Sequence, residues 1–240
     1  MGGSRARALL LQVRDEARAE EQEQRCFLEA AELRPDQLTC HNLVHRPSLE
    51  WVRVREFDVV MVGGAGAHTV TESYPFSDPL RETLLRLVDE RRPLFASCYG
   101  HHALVNAMGG EVVVDHSTGE VGTFEIELTE SGVDDPLFAG LPRRFRVQLG
   151  HHDRVNRLPE GLVELAASDR CPYQALRALG RPVYSTQFHS EMTVAHMQAR
   201  LMWYRDSYLA KRATAAEVSR MLAPSDEAAM LVRRFFELYV

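Results

Sequence analysis

Lysine is almost missing from this sequence: Lys211 stands alone among 28 basic residues. The positive charge is therefore nearly all arginine, a skew we read as coding bias and give no functional weight. A surplus of positive charge is missing too, since the formal net charge is -6. That argues against a broad basic surface for nucleic acid or anionic lipid and leaves small neutral or acidic substrates open. No run approaches the roughly 20 apolar residues of a membrane span. The apolar stretch Ala8-Leu9-Leu10-Leu11 falls short of the roughly 7 to 15 residues of a secretory core, and Arg14, Asp15 and Glu16 follow at once. Cysteine is scarce: Cys26, Cys40, Cys98 and Cys171 are scattered with no Cys-x-x-Cys pair. Such usage suits a reduced cytoplasm better than a disulfide scaffold. The expectations are a cytoplasmic protein with neither a membrane nor a nucleic acid as partner.

What is present describes an ordinary globular chain. With 240 residues, 45% hydrophobic and 26% charged, it can bury roughly 70 to 75% of its unfolded surface and needs no disulfide or metal to hold a core. There is no repeat, low-complexity tract or linker long enough to divide domains. We expect one domain over 1–240, with 193–240 a helical C-terminal extension packed on it.

Apolar runs of strand length alternate with helical patterns through the first half. Strands are expected at 8–13, 38–44, 58–62 and 93–96, and helices at 16–33, 78–90 and 99–108, with Asp78 as a cap. This order predicts an α/β fold: a largely parallel central sheet with helices on both faces. Such sheets bind ligands at the carboxyl ends of their strands. From Glu111 the runs shorten to 111–114, 123–128, 145–149, 163–167 and 182–186, separated by turns, which suggests added antiparallel strands. The remainder is helical by period. Val194, Met197, Leu201 and Tyr208 share one stripe, and a final helix opening at Pro224-Ser225-Asp226 carries Met230, Leu231, Phe235 and Leu238.

Cys98 sits between a buried strand and a helix, with the small residues Ala96 and Gly100 two positions to either side. A sharp strand-to-helix nucleophile turn needs small neighbours because the backbone crowds there. A helix amino end also favours the thiolate. A buried structural cysteine is the commoner fate of an intracellular thiol, and Cys26, Cys40 and Cys171, which lack this context, are assigned to it.

A thiol nucleophile needs a base, and the base an orienting acceptor. Gln187-Phe188-His189-Ser190-Glu191 leaves the strand at 182–186. In extended chain His189 and Glu191 point to one side, so the carboxylate can hold one ring nitrogen while the other faces a thiol. The third piece, Gly63-Gly64-Ala65-Gly66, follows the strand at 58–62. A dinucleotide loop is a poor reading, because Thr69 falls where a third glycine belongs and Tyr74-Pro75 interrupts any immediate helix. Glycines here instead let backbone N–H groups turn toward a developing oxyanion.

Cys98-Tyr99-Gly100-His101-His102-Ala103-Leu104 with Gln187-Phe188-His189-Ser190-Glu191 resembles the class I glutamine amidotransferases, whose patterns are Cys-x-Gly-x-Gln-x-Leu and Gln-Phe-His-Pro-Glu. Gly63-Gly64 matches the family's glycine loop, and His151-x-Asp153 with Val155 its His-x-Asp-x-Val stretch. The resemblance spans 58–191, looks closest to stand-alone proteins similar to the amidotransferase domain of GMP synthetase, and implies a flavodoxin-like architecture. It further implies that Cys98 attacks the side-chain amide of glutamine, His189 shuttles the proton and Glu191 orients His189. The oxyanion would sit on the backbone N–H groups of Gly64 and Tyr99, and the substrate among Gly63, Gly100, His102, His151 and Asp153. No metal or organic cofactor is needed for this half-reaction.

Two departures matter. Ser190 replaces the usual proline, and His102 replaces the glutamine that helps hold the substrate, which puts glutamine specificity in question. The rival expectations are therefore a γ-glutamyl peptide or amine hydrolase, or a catalytically silent protein with a binding or regulatory role. An ammonia-accepting synthetase is the expected partner of the first reading, and the oligomeric state, a homo-oligomer included, is left open.

Ten histidines invite a metal, but adjacent pairs such as His101-His102 and His151-His152 diverge, so no metal site is expected. His151 is read as supporting the site, and His101 and His152 as partly exposed. Glu20, Glu21 and Glu23, interleaved with Arg18 and Arg25, read as a solvated helix face. Trp203, Tyr204, Tyr208, Phe235, Phe236 and Tyr239 read as a packed helix face.

Overall fold

The computed structural model describes residues 6–208 and 214–240, with the side chains of residues 207 and 208 also outside the description. The expectations for Lys211 and for the Tyr208 side chain fall outside it. Strand β1 (Ala8–Val13) is buried along its whole length, as its uninterrupted apolar sequence requires of a strand covered on both faces. Leu9, Leu11 and Val13 enter one apolar layer and Ala8 and Leu10 the other. Around it stand β2 (Leu38–Asn42), β3 (Val59–Ala65), β4 (Leu94–Ser97) and, far along the chain, β11 (Val183–Thr186). These strands pair in parallel in the order β2-β1-β3-β4-β11.

From β11 the same sheet continues antiparallel through β10 (Ala175–Ala178), β9 (Leu162–Ser168), β6 (Glu120–Leu128) and β7 (Arg144–His151). A separate ribbon pairs β5 (Glu111–Val114) with β8 (Asp153–Arg157). The architecture is thus the α/β fold expected, with the added antiparallel strands. Two strands escaped the sequence reading. β10 is alanine-rich and nearly all buried, so it carries neither alternation nor β-branched residues; β8 is mostly polar and lies in a two-stranded ribbon.

Helix α1 (Ala17–Ala30), α2 (Ser77–Asp89) and α3 (Tyr99–Ala107) follow the expected spans closely. Asp78 is not the cap of α2: it falls inside the first turn, behind Phe76, and makes no cap hydrogen bond. Beyond the sheet, Thr193 caps α4 (Val194–Trp203), accepting from His196 N, and α5 (Ala215–Arg220) follows. The last helical stretch opens where expected, with Ser225 preceding a short helix at Asp226–Ala229, and continues through Met230 into α6 (Leu231–Tyr239). Of the expected apolar face Leu231 and Phe235 are buried, with Val232 and Phe236, whereas Met230 and Leu238 are exposed. Phe235 meets Phe95 of β4 edge-on at 5.5 Å and Tyr184 of β11 at 5.8 Å. The C-terminal segment therefore covers one face of the central sheet, opposite the layer formed by Leu80, Leu84 and Leu104 of α2 and α3.

The register decides where chemistry can happen. Val62 pairs with Ala96, and Ser97 with Thr186, so the carboxyl ends of β3, β4 and β11 lie side by side. The residues at and just beyond these ends, 63–66, 98 and 187–189, must emerge together. Gly100 permits this: a Cβ there would stand 2.7 Å from the Val62 carbonyl oxygen, so any larger residue pushes α3 off β3. Gly100→Ala is expected to cost about 1–3 kcal/mol by overpacking, read as a lower Tm in thermal denaturation; an unchanged Tm would show that α3 has slack here.

Candidate active site

Cys98 is the residue between β4 and α3, with φ 52° and ψ -101°. A β-carbon at positive φ strains the backbone by roughly 1–3 kcal/mol, and the surrounding bonds hold it there: Cys98 N–H donates to the Thr186 carbonyl at 2.8 Å, and the Cys98 carbonyl accepts from His102 N at 3.1 Å. The thiol is nearly buried, at the amino end of α3. It lines a cavity of about 370 Å³ together with Tyr99, His102, His151 and Asp153.

The chain leaving β11 is equally fixed. Phe188 is fully buried in the core, Thr186 Oγ1 donates to the Phe188 carbonyl at 2.7 Å, and His189 N–H donates to the Gln148 carbonyl at 2.9 Å. His189 Nδ1 then meets Glu191 Oε1 at 2.6 Å, and Ser97 Oγ donates to Glu191 Oε2 at 3.0 Å. The Cys98 sulfur is near enough to act electrostatically on the His189 ring. Burial works against charge on His189, but the Glu191 carboxylate and the Cys98 sulfur outweigh it and raise the pKa from the usual 6.5 to about 10. Burial opposes charge on Glu191 as well, yet His189 and the Ser97 hydroxyl keep it below the ordinary carboxylate value. Ser190 between them is buried, its hydroxyl without a hydrogen-bond partner among the described residues.

The glycine loop lies under this pair. A Cβ on Gly64 would stand 2.9 Å from His189 Cε1 and 3.6 Å from Cys98 Cβ, so only glycine fits this floor. The N–H expected to face the oxyanion is otherwise engaged: Gly64 N–H donates to Glu23 Oε1 at 3.0 Å. Tyr99 N–H, the first of α3, has no acceptor inside its helix. Gly63 and Gly100, expected against substrate, do not line the cavity; Gly63 lies against the Glu23 carboxylate and Gly100 against Val62.

Glu23 is where the sequence reading of a solvated acidic face fails. It is 1% exposed and pairs with Arg14, also 1% exposed, at 2.5 Å. The signal was available, since Glu23 shares the buried stripe of α1 with Ala19, Cys26 and Phe27, and helical period puts such residues on one face. Ser97 was likewise missed.

His151 and Asp153 line the cavity at the junction of β7 and β8. His151 Nε2 meets Glu120 Oε2 at 3.1 Å and Nδ1 meets the Asp153 carbonyl at 2.8 Å, while Gln174 Nε2 donates to the same Glu120 oxygen at 2.7 Å. The Asp153 carboxylate accepts from Thr69 Oγ1 at 2.5 Å, tying β8 to the segment after the glycine loop. His102 is buried, its Nε2 at 2.5 Å from Gln187 Oε1. Burial, with help from His151, drives its pKa down to about 3, so it is neutral. His101, expected to be partly exposed, is fully buried with Nδ1 at 3.0 Å from Ser185 Oγ, and burial holds its pKa well below 6.5. His152 is partly exposed, its ring 4.8 Å from that of His116. Among the described residues no group of three His, Cys, Asp or Glu side chains is arranged to hold a metal ion.

A strained cysteine before a helix, a buried His–Glu pair on the neighbouring strand end and a glycine floor between them form a covalent-catalysis constellation. The family model for glutamine amidotransferase class-I matches residues 38–204. This chain belongs to the class I glutamine amidotransferases. Among amidotransferase relatives, it is 32% identical over 154 residues to a glutamine-hydrolyzing GMP synthase subunit from Archaeoglobus fulgidus, a match covering 64% of this chain and 76% of that one. It is 37% identical over 119 residues to a glutamine-hydrolyzing GMP synthase from Thermosipho melanesiensis, but there the match covers 50% of this chain and only 22% of the relative's length. In fold it is similar to a glutamine amidotransferase from Thermotoga maritima, with a TM-score of 0.77, 18% identity and 99% of each chain covered. No helix among the described residues of this amidotransferase is long and apolar enough to cross a membrane.

The coupled pair sets a pH dependence. Because the native pKa of His189 lies above its unfolded value, its stabilising contribution is complete below about pH 6.5 and is lost as the pH rises through about 10. The depressed pKa of Glu191 makes its contribution complete above the usual 4.5, to be lost only as the pH falls through the lowered value. Urea denaturation of wild type and Glu191→Gln should therefore show a gap in midpoint that is wide near pH 6 and narrows toward pH 10; a gap independent of pH would contradict the coupling.

Proposed function

We propose that the chain is a thiol-dependent amidohydrolase that releases ammonia from glutamine, with Cys98 as nucleophile, His189 as base and acid, and Glu191 as orienter. The observation that carries this reading is the 2.6 Å contact of Glu191 with His189, set beside a cysteine held at positive φ. His189, its pKa raised to about 10, holds the proton drawn from the thiol while Cys98 Sγ bonds to the amide carbon and the carbonyl electrons move onto oxygen. The oxyanion collapses, the C–N bond breaks, and His189 returns the proton to the departing ammonia. Water then adds to the thioester, His189 takes one of its protons, and glutamate leaves as the thiol is restored. Tyr99 N–H, at the positive end of α3, stabilises the oxyanion; Gly64 N–H is bonded to Glu23 instead. His151, Asp153 and His102 line the substrate's chamber.

The setting of this activity is proposed on separate grounds. The Archaeoglobus relative is named as one subunit of a GMP synthase, which supports a separate, ammonia-accepting synthetase chain as partner. The four cysteines, all free, support a cytoplasmic location.

A second reading, hydrolysis of other γ-glutamyl amides or peptides, is favoured by the cavity itself. His102 stands where the family carries glutamine, and the cavity is lined by the acidic residues Glu72 and Asp153 with no arginine or lysine. Ammonia and amine release from glutamine and a panel of γ-glutamyl amides separates the two. Turnover of glutamine supports the first reading, turnover of the other amides alone supports the second, and turnover of neither overturns both. Cys98→Ala should abolish turnover with circular dichroism unchanged. His102→Gln should lower KM for glutamine if the imidazole limits binding; an unchanged KM would show that it does not.

A further inference from the structure

We infer that Glu23, seated on Arg14, is a positioning residue of this site: it fixes the Gly63–Gly64 backbone beneath Cys98 and His189. The inference rests on the reading of Cys98 as nucleophile, and adds two residues that no motif contains. Glu23 comes from α1 and Arg14 from the loop after β1, both far from the motifs in sequence, and both are buried to 1%.

The geometry is specific. Glu23 Oε1 accepts from Arg14 Nε at 3.1 Å, from Arg14 Nη2 at 2.5 Å and from Gly64 N–H at 3.0 Å, and Glu23 Oε2 accepts from Gln12 Nε2 at 2.9 Å. The carboxylate is thus held by Arg14 and Gln12 and also accepts from a backbone donor of the catalytic floor. It also occupies the space where a Gly63 side chain would begin. On the other side of the same backbone, the position of a Gly64 Cβ is 2.9 Å from both Arg14 Nη2 and His189 Cε1. Arg14 and His189 thus flank the same face of Gly64.

A buried ion pair is poor evidence for stability, since desolvation offsets most of the attraction. A charge-assisted bond to one peptide N–H, by contrast, fixes the orientation of that peptide strongly. Glycine without such a tether is the most conformationally free residue, and a floor under a reacting centre that shifts by about 1 Å can cost about 100-fold in rate. Glu23 supplies the tether, and Arg14 holds Glu23 in place.

The test compares two reactions of the full chain. Turnover of its best γ-glutamyl amide proceeds through an oxyanion above the glycine floor; alkylation of Cys98 by iodoacetamide displaces iodide at a tetrahedral carbon and forms no oxyanion. Glu23→Ala should lower kcat by up to about 100-fold while KM and the rate and pH profile of alkylation stay near wild type. Glu23→Gln, whose amide oxygen still accepts from Gly64, should recover most of the turnover. Equal losses in turnover and alkylation would mean a general disturbance of Cys98 and His189 and overturn the inference, as would an unchanged kcat in folded Glu23→Ala. If Glu23→Ala does not fold, the double variant Arg14→Met with Glu23→Met decides: it removes both buried charges and the acceptor for Gly64 while filling the same space. A lost kcat at an ordinary Tm then supports the assignment, and turnover near wild type contradicts it. Wild-type protein that turns over none of the panel would sink the nucleophile reading, and this inference with it.

Discussion

Everything in the site hangs on the pairing of β4 with β11. These strands are adjacent in the sheet, but about 90 residues of intervening chain build the antiparallel half of the sheet and the β5–β8 ribbon before β11 arrives. Their register puts Ser97 beside Thr186, and the bond from Cys98 N–H to the Thr186 carbonyl continues that pairing one residue past the strand. A slip of one position would turn His189 away from the thiol, because alternate residues face opposite sides. The apolar face that locks the register, with Phe235 packed against both Phe95 and Tyr184, thus serves the chemistry as directly as the motif residues do.

Around this junction the molecule concentrates the polar groups it buries. Glu191 with His189, Glu120 with His151, Glu23 with Arg14, and neutral His101 and His102 all lie within or just behind the cavity wall. Burying charge is costly unless each group finds a partner, and a fold of this size has apolar residues enough to fill the same space. Each carboxylate instead fixes one element of the site: Glu191 the His189 ring, Glu120 the β7–β8 junction, and Glu23 the glycine backbone. Rigid placement through buried hydrogen bonds is what a reaction that needs aligned groups demands.

Local pattern carried most of the architecture and the motif half of the site. The wholly apolar β1, the stripe of α2 and the small residues flanking Cys98 each encode a structure through neighbours close in sequence, so they could be read directly. The failures share one cause. β10 and β8 are strands because of what they pair with, not because of their own composition. Glu23 resembles the exposed acids beside it, and only the arrival of Arg14 and Gly64 from other elements makes its burial tolerable. The glycines after β3 suggest backbone N–H groups free to turn toward an oxyanion, but the direction of the Gly64 N–H depends on that same distant carboxylate. His101 was expected near solvent because nothing in the sequence shows that Ser185 of β11 would cover it.

The central claim is that Cys98, alone among the four cysteines, is placed to attack a γ-glutamyl carbon. Incubation with a glutamine-like γ-electrophile, followed by intact-protein mass spectrometry and peptide mapping, tests it most directly. The account predicts a single adduct, on the peptide containing Cys98, suppressed by excess substrate. An adduct on Cys26, Cys40 or Cys171, or none on Cys98 in folded protein, would contradict it.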